Sequence, residues 1–500
     1  MNKRNKNIVL SITILLLIIG LISGAYKLKQ PTIKDITFSD QHSAMHYAVD
    51  IVLNKPAKVN VEYTEVKTGE TFRTPITGKD TIHHIDLLLL KADSEYTYKV
   101  IVHDFFHFST KKYTFKTRKQ SPWLVNHWLT EERPHEATAL GDGMVMVTYG
   151  RVPGYILIMD AEGEVRWYWQ VEDIGVRSAC ITPRGTILAM LRPPIQDIRD
   201  DLPQSEEEVH ADEEKKPMRR GSIGFAGGTA IAEISLSGKL LWRFDLDKIH
   251  SEKDFQSIHH DVLMNEKHQI LALYRPKKII EKRMFNKLET DTLGGDGILV
   301  LDTLGNILDK WSIWDHWDTD NDPYIERYKY DRFHINGLCL DEKGNYYLSA
   351  PIEDQVWKIN RQTGDIEWKF GRNGDFAMDT TTYFSFQHSP HFNSKGELML
   401  FDNGLYDKRS GAKSFLLDEK NKTADIRLNA PLPSELYTSR MGSAYLLPNG
   451  NILQTSSKRG AVVITGQDGK ILWQINLSFA PYRATYVPSE TWKAYFEKVK

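Results

Sequence analysis

Cysteine is almost absent: Cys180 and Cys339 are the only two in 500 residues, which excludes a disulfide scaffold. A surplus of either charge is missing too. Sixty-four Lys and Arg stand against 66 Asp and Glu, a net charge of −2, so nothing general calls for a nucleic-acid partner. Long apolar stretches are scarce, and the one that stands out opens the chain. What remains is ordinary for a folded globular protein, 41% hydrophobic and 26% charged, but rich in Trp (12) and Tyr (22).

The opening stretch is "MNKRNKNIVLSITILLLIIGLISGAYKLKQ". Lys3, Arg4 and Lys6 precede an uncharged run from Ile8 to about Tyr26, at the lower edge of a membrane-spanning helix. Residues 1–29 therefore read as an N-terminal anchor, with a cleaved signal segment ending near Ser23-Gly24-Ala25 as the alternative. Either reading places the rest of the chain outside the cytoplasm, on the cell membrane by a single-pass helix or secreted. No cysteine follows that would carry a lipid.

Residues 30–120 read as a small β-sandwich-like domain. "HYAVDIVLN", "AKVNVEYTEV" and "YTYKVIVHD" are rich in β-branched and aromatic residues, with turn residues between them. "LKADSEYTYKV" resembles the strand region of a fibronectin type III sandwich.

From about residue 130 the chain repeats a unit of four strands joined by tight turns. The copies open at "HEATALGDGMVMVTYG", "SACITPRGTILAML", "HHDVLMNEKHQILALY", "HINGLCLDEKGNYYLSA", "QHSPHFNSKGELMLFDNG" and "GSAYLLPNGNILQTSS". Six such units are the signature of a β-propeller, because one four-stranded sheet cannot bury both faces alone. The expected fold is thus all-β: a six-bladed propeller over 121–500, preceded by the small β domain and a transmembrane helix. Trp167, Trp242, Trp368 and Trp473 recur on the outer strands and read as packing between blades. Cys180 and Cys339 fall at matching positions of non-adjacent repeats and are not expected to pair. A charged insert at 194–221 reads as a mobile surface loop. A basic one, "RPKKIIEKRMFNKLETD", reads as a cover for one mouth of the channel.

In a propeller the first strand of each blade is innermost, so the starts of these strands meet around the axis. Counting eight residues back from the first turn of each repeat gives His135, Arg177, His260, Asn336, His388 and Gly442, with His259 and His334 close by. Burying imidazole, guanidinium and amide groups together without a ligand is costly, so this mouth of the channel is the candidate site. His391, three residues beyond His388, reads as structural, as do Asp402 and Asn403 of "FDNG". The aromatic segments 311–330 and 376–384 precede two of the His strands and read equally as aryl-pocket walls or as loop packing.

The segments "HHDVL", "FHINGL", "FQHSPHF…LMLFDNG" and "PYRATY", in this order, resemble the bacterial arylsulfate sulfotransferases, over nearly the whole chain after the apolar run. The resemblance implies transfer of a sulfuryl group from a phenolic sulfate donor to a phenol acceptor without a nucleotide donor. The implied course is ping-pong through a sulfated histidine, with no metal or other cofactor. Carried over by position, His388 is the nucleophile, while His260, His334 and Asn336 line the sulfate site. The chemistry further suits His260 as the acid–base group and His334 as a catalytic donor, with His259 as an additional ligand. The family also places an arginine where this chain has Pro351; Arg440 or Arg177 would have to supply that charge. The short-range disulfide of periplasmic members has no counterpart here. A homodimer is left open, as are two rival functions: a non-catalytic or quinoprotein-like propeller, and a metal-dependent hydrolase built on three of the histidines.

Overall fold

Runs of alternating or β-branched residues form strands throughout, and the computed structural model is all-β. It describes residues 12–16, 30–41, 43–103, 108–109, 112–129, 135–193, 203–205, 227–246, 255–284 and 287–497. The chain divides into two compact units, 1–120 with 493–500, and 121–492.

The first unit is organised by one long strand, Tyr47–Glu65. Its N-terminal half pairs with Ile33–Asp40 and Asp80–Leu87, its C-terminal half with Thr71–Arg73 and Glu95–His103. Alternate residues of Glu95–His103 are buried, and the rings of Phe38, Tyr47, Tyr98 and Phe115 stack between the ladders. Tyr96 Oη accepts the Lys91 N–H at 2.8 Å, a tyrosine corner of the kind that closes sandwich domains.

The second unit holds six antiparallel sheets with a four-strand core, named I to VI in chain order. Sheets II to VI start at Gly175–Ile181, Phe255–Met264, Gly337–Leu340, His388–Phe392 and Ala444–Leu446. Sheet I is assembled from both ends of the unit. Met144–Tyr149 pairs with Gly154–Met159 on one side and with the late strand Ala484–Val487 on the other. That late strand occupies in sheet I the edge that the first strands occupy in sheets II, IV, V and VI.

Tryptophan links neighbouring sheets. Trp167 Nε1 donates to Leu236 O (2.7 Å), Trp311 to Gly364 O (2.8 Å), Trp368 to Glu419 Oε2 (3.2 Å) and Trp473 to Ala161 O (2.7 Å). These bonds join I to II, III to IV, IV to V, and VI back to I. Trp242 bonds Glu233 within its own sheet and packs on the apolar cluster shared by sheets II and III. Sheets V and VI share a cluster of their own.

One expectation is overturned. The single-pass membrane placement is corrected: among the described residues no helix is long and apolar enough to cross a membrane. Of the run from Ile8 to Tyr26 only 12–16 are described, as helix. Five residues rise about 7.5 Å, against a hydrocarbon core of about 30 Å; the remainder of 1–29 lies outside the described residues. The insert 194–221 likewise lies outside them except for 203–205. The basic insert is a β-hairpin, Ile270–Met284 paired with Lys287–Gly294.

Candidate active site

The first strands carry polar residues at their starts, and the structure brings several of these together. His388 opens the first strand of sheet V and is 2% exposed. Its Nδ1 lies 2.7 Å from Asn403 Oδ1 and 3.1 Å from Phe386 O. The Asn403 amide is oriented by donating Nδ2–H to Thr438 O (2.8 Å) and Met441 O (2.9 Å). Its Oδ1 is therefore an acceptor, and the proton of neutral His388 must sit on Nδ1. Nε2 carries the lone pair, and it accepts the Met441 N–H at 3.2 Å. Burial pushes the His388 imidazole down to about 3, helped by the Arg483 and His334 charges and opposed by Asn403. The ring is neutral at physiological pH.

Around this nitrogen the other strand starts converge. Asn336, fully buried just before the first strand of sheet IV, donates Nδ2–H to Gln387 O at 2.9 Å. Its Oδ1 has no hydrogen-bond partner among the described residues, as befits a group kept for a ligand. His334 Nδ1 lies 2.6 Å from Asp331 Oδ2, which leaves Nε2 available, and Asp331 Oδ1 also receives Arg275 at 2.9 Å. The His260 ring meets the His334 ring edge to face, centroids 4.9 Å apart. Phe386 lies between His334 (6.2 Å) and His388 (6.0 Å). Arg177 sits 4.2 Å over the Tyr482 ring and points Nη2 at Met441 Sδ.

The arginine missing from the place of Pro351 has an unanticipated counterpart. Arg483 immediately precedes the late strand of sheet I. It donates Nη1–H to Asp261 Oδ1 and Nη2–H to Asn336 O, both at 2.9 Å. Asp261 and Tyr482 hold its guanidinium well above the ordinary range. It stands where the eight-residue count had put His135. His135 is instead exposed, its ring 5.5 Å from Trp473. Equating sheet I's first strand with the repeat's first residues caused the error; the signal was "PYRATY", read as a seventh strand start that closes the first sheet.

Two other expected ligands adjoin cluster residues in sequence, His259 before His260 and Arg440 before Met441. His259 is fully buried behind His260, its Nδ1 2.8 Å from His260 Nδ1 and its Nε2 3.3 Å from Asp296 Oδ1. Arg440 is partly exposed in the loop before Met441, where its carbonyl accepts from Thr438 Oγ1. Asp402 fixes a turn, accepting from Ser385 N–H and Gly404 N–H, whereas its neighbour Asn403 is the group that orients His388. The segment 311–330 packs inward, Trp317 stacking on Trp357, and Phe376 of 376–384 does the same.

The backbone at this place is unusual. His260, His334, Phe386, Ser389 and Met441 all have φ between +53° and +61°, a conformation costing roughly 1–3 kcal/mol for a residue with a side chain. Ladder register breaks at His388–His391 and between Ile258 and Val262. These bulges re-aim side chains. Strict alternation had put Asp261 and His391 on opposite courses from their neighbours. Asp261 and His391 both line a cavity of about 210 Å³ beside Arg483, which also holds Cys180, Cys339 and Tyr445. Both cysteines are unpaired thiols, and burial pushes that of Cys180 up to about 12. Among the described residues no group of three or more His, Cys, Asp or Glu is arranged to hold a metal ion; the imidazoles face one another instead.

A family model described as Arylsulfotransferase (ASST) matches residues 130–476. No curated protein matches the chain. Solved structures resemble it distantly. A Bacteroides caccae protein of unknown function is 13% identical with a TM-score of 0.39, covering 69% of this chain and 99% of its own. A catalytically inactive virginiamycin B lyase from Staphylococcus aureus with quinupristin is 10% identical at 0.31, covering 61% and 70%. A streptogramin B lyase is 10% identical at 0.33, covering 87% and 100%. At these scores the likeness decides nothing about activity.

Proposed function

The chain belongs to the arylsulfotransferase (ASST) family and is a sulfotransferase; from that premise we propose that it moves a sulfuryl group from a phenolic sulfate ester to a phenol by a ping-pong course through His388 Nε2. The observation that carries this reading is the lock on the His388 ring: a proton held on Nδ1 by Asn403 and a lone pair on Nε2, which accepts the Met441 N–H. In the first half-reaction the bond between sulfur and the aryl oxygen breaks as the sulfur–Nε2 bond forms, and the departing phenoxide takes a proton from His260. In the second the acceptor phenol gives its proton to His260 and its oxygen displaces Nε2.

A loose transition state, by analogy with phosphoryl transfer, spreads charge over the sulfuryl oxygens. His334 Nε2, Arg177 and Arg483 are the groups suited to receive it. The Met441 N–H, which caps Nε2 in the resting site, is placed to donate to a sulfuryl oxygen once sulfur occupies that position. Phe386 offers a face to the aryl ring. The sheets are proposed to close as a six-bladed propeller. Support comes from the Trp473 bond from VI to I, the shared strand of sheet I, and the central cavity, lined from all six sheets.

The test is transfer from 4-nitrophenyl sulfate to phenol, without nucleotide and with chelator present, in wild type and His388→Ala. Phenol-dependent nitrophenolate release that vanishes in the variant is expected, with sulfuryl mass on the peptide "QHSPHF" of enzyme trapped with donor alone. Release without acceptor, or mass on another histidine, contradicts the reading.

A further inference from the structure

We propose that His259 and Asp296 form a positioning couple that holds the exchangeable proton on His260, so that His259 acts through His260 and never touches substrate. This rests on the transfer reading above. It deepens that reading by asking how one buried imidazole serves as acid in one half-reaction and base in the other.

Three groups stand in a row: His260 Nδ1 is 2.8 Å from His259 Nδ1, and His259 Nε2 is 3.3 Å from Asp296 Oδ1, an ion-pair distance rather than a hydrogen bond. All are buried, at 3%, 0% and 0% exposure. Two ring nitrogens at 2.8 Å require one proton between them. With Asp296 ionised, the His259 proton belongs on Nε2, facing the carboxylate. His259 Nδ1 then accepts from His260 Nδ1–H, and His260 Nε2 is a lone pair toward the cluster. This is the base form.

The acid form holds one proton more. A proton taken up at His260 Nε2 makes an imidazolium, whose Nδ1–H is already committed to His259, and the charge is balanced through His259 by Asp296. The phenol's proton enters in the second half-reaction and leaves with the phenoxide in the first, so the cycle closes without another proton source. The other groups around His260 oppose this form. His260 faces His334, His259, Arg177, Arg275 and Tyr482, and burial with those charges holds its imidazole well below the ordinary range. His259 faces Asp296, Arg275, Asp331 and His334. Asp296 and Asp331 are the negative charges beside the row, both shared with Arg275.

The experiment compares two donors in Asp296→Asn and His259→Gln. 4-Nitrophenyl sulfate releases a stabilised phenoxide that needs little protonation. Phenyl sulfate releases a basic one, for which acid help is worth about 10²–10⁴-fold. Both variants are expected to slow the sulfation half-reaction with phenyl sulfate by roughly that factor and with 4-nitrophenyl sulfate by less than about 10-fold. The alkaline limb of kcat/KM for phenyl sulfate, which reports loss of the His260 proton, should also move to lower pH. Equal slowing of both donors, or an unmoved pH profile, overturns the couple. His259→Gln keeps Asp296 beside Arg275, so it gives the answer if Asp296→Asn does not fold. A wild type that transfers from neither donor, or a His388→Ala variant that still does, fails the parent reading instead.

Discussion

Asn403→Ala isolates the tautomer lock on His388. The substitution removes the 2.7 Å contact to Nδ1 and leaves Phe386 O at 3.1 Å as the remaining acceptor. A buried hydrogen bond contributes about 0.5–1.5 kcal/mol net. The tautomer ratio in favour of an unprotonated Nε2 should fall by roughly 2–13-fold at 1.4 kcal/mol per decade. Sulfation should slow by up to that factor, since the other tautomer has no lone pair to offer. Stability has a separate cost. Met441 O loses a donor while Thr438 O keeps Ser410 Oγ at 3.1 Å, so one orphaned carbonyl costs about 1–3 kcal/mol. The pre-steady-state burst of nitrophenolate gives the first quantity and urea unfolding the second. A burst rate unchanged while stability falls would refute the tautomer argument. A loss as complete as that of His388→Ala would equally refute it, because a lock that only biases a proton cannot abolish the reaction.

Arg483→Gln strands the Asp261 carboxylate, 9% exposed, with only the Leu338 N–H at 3.1 Å remaining from its present partners. Breaking a buried pair this way costs about 3–5 kcal/mol. Thermal melts should show part of it restored in Arg483→Gln/Asp261→Asn, while KM for the donor stays raised in both. Stability should also fall in acid, because burial holds His259, His260, His388 and His391 below their ordinary range. The unfolded chain takes up these protons near pH 6.5 and the folded one does not, so the stability is present above that pH. It is lost as pH drops, down to about 4 for His391 and about 3 for His388. Urea titrations between pH 6 and 5 should lose up to about 1.4 kcal/mol per unit less in His391→Gln than in wild type.

Much of this was legible because propeller geometry turns sequence register into proximity. His260, Asn336 and His388 come from different sheets, yet an equal distance from a turn brought them to one place. Trp167, Trp368 and Trp473 were legible for the same reason, recurring at fixed spacing where sheets meet. Arg483 was not, since its strand pairs with Met144–Tyr149 more than 300 residues earlier, and no local periodicity announces such a partner. Asn403 looked like a turn residue because its neighbour Asp402 is one. The anchor expectation rested on an apolar run alone, and only five of its residues are described as helix.

The completion of sheet I by Ala484–Val487 also sets an order of events during synthesis. Residues 177, 260, 336 and 388 leave the ribosome well before Arg483 does. Until the last strand arrives, Met144–Tyr149 presents a bare edge, Asp261 lacks its cation and the carbonyl of Asn336 lacks two donors. Competence is therefore acquired in one final step, when the same few residues seal the first sheet and deliver the guanidinium. A nascent chain stalled short of them has the nucleophile without its charge partners.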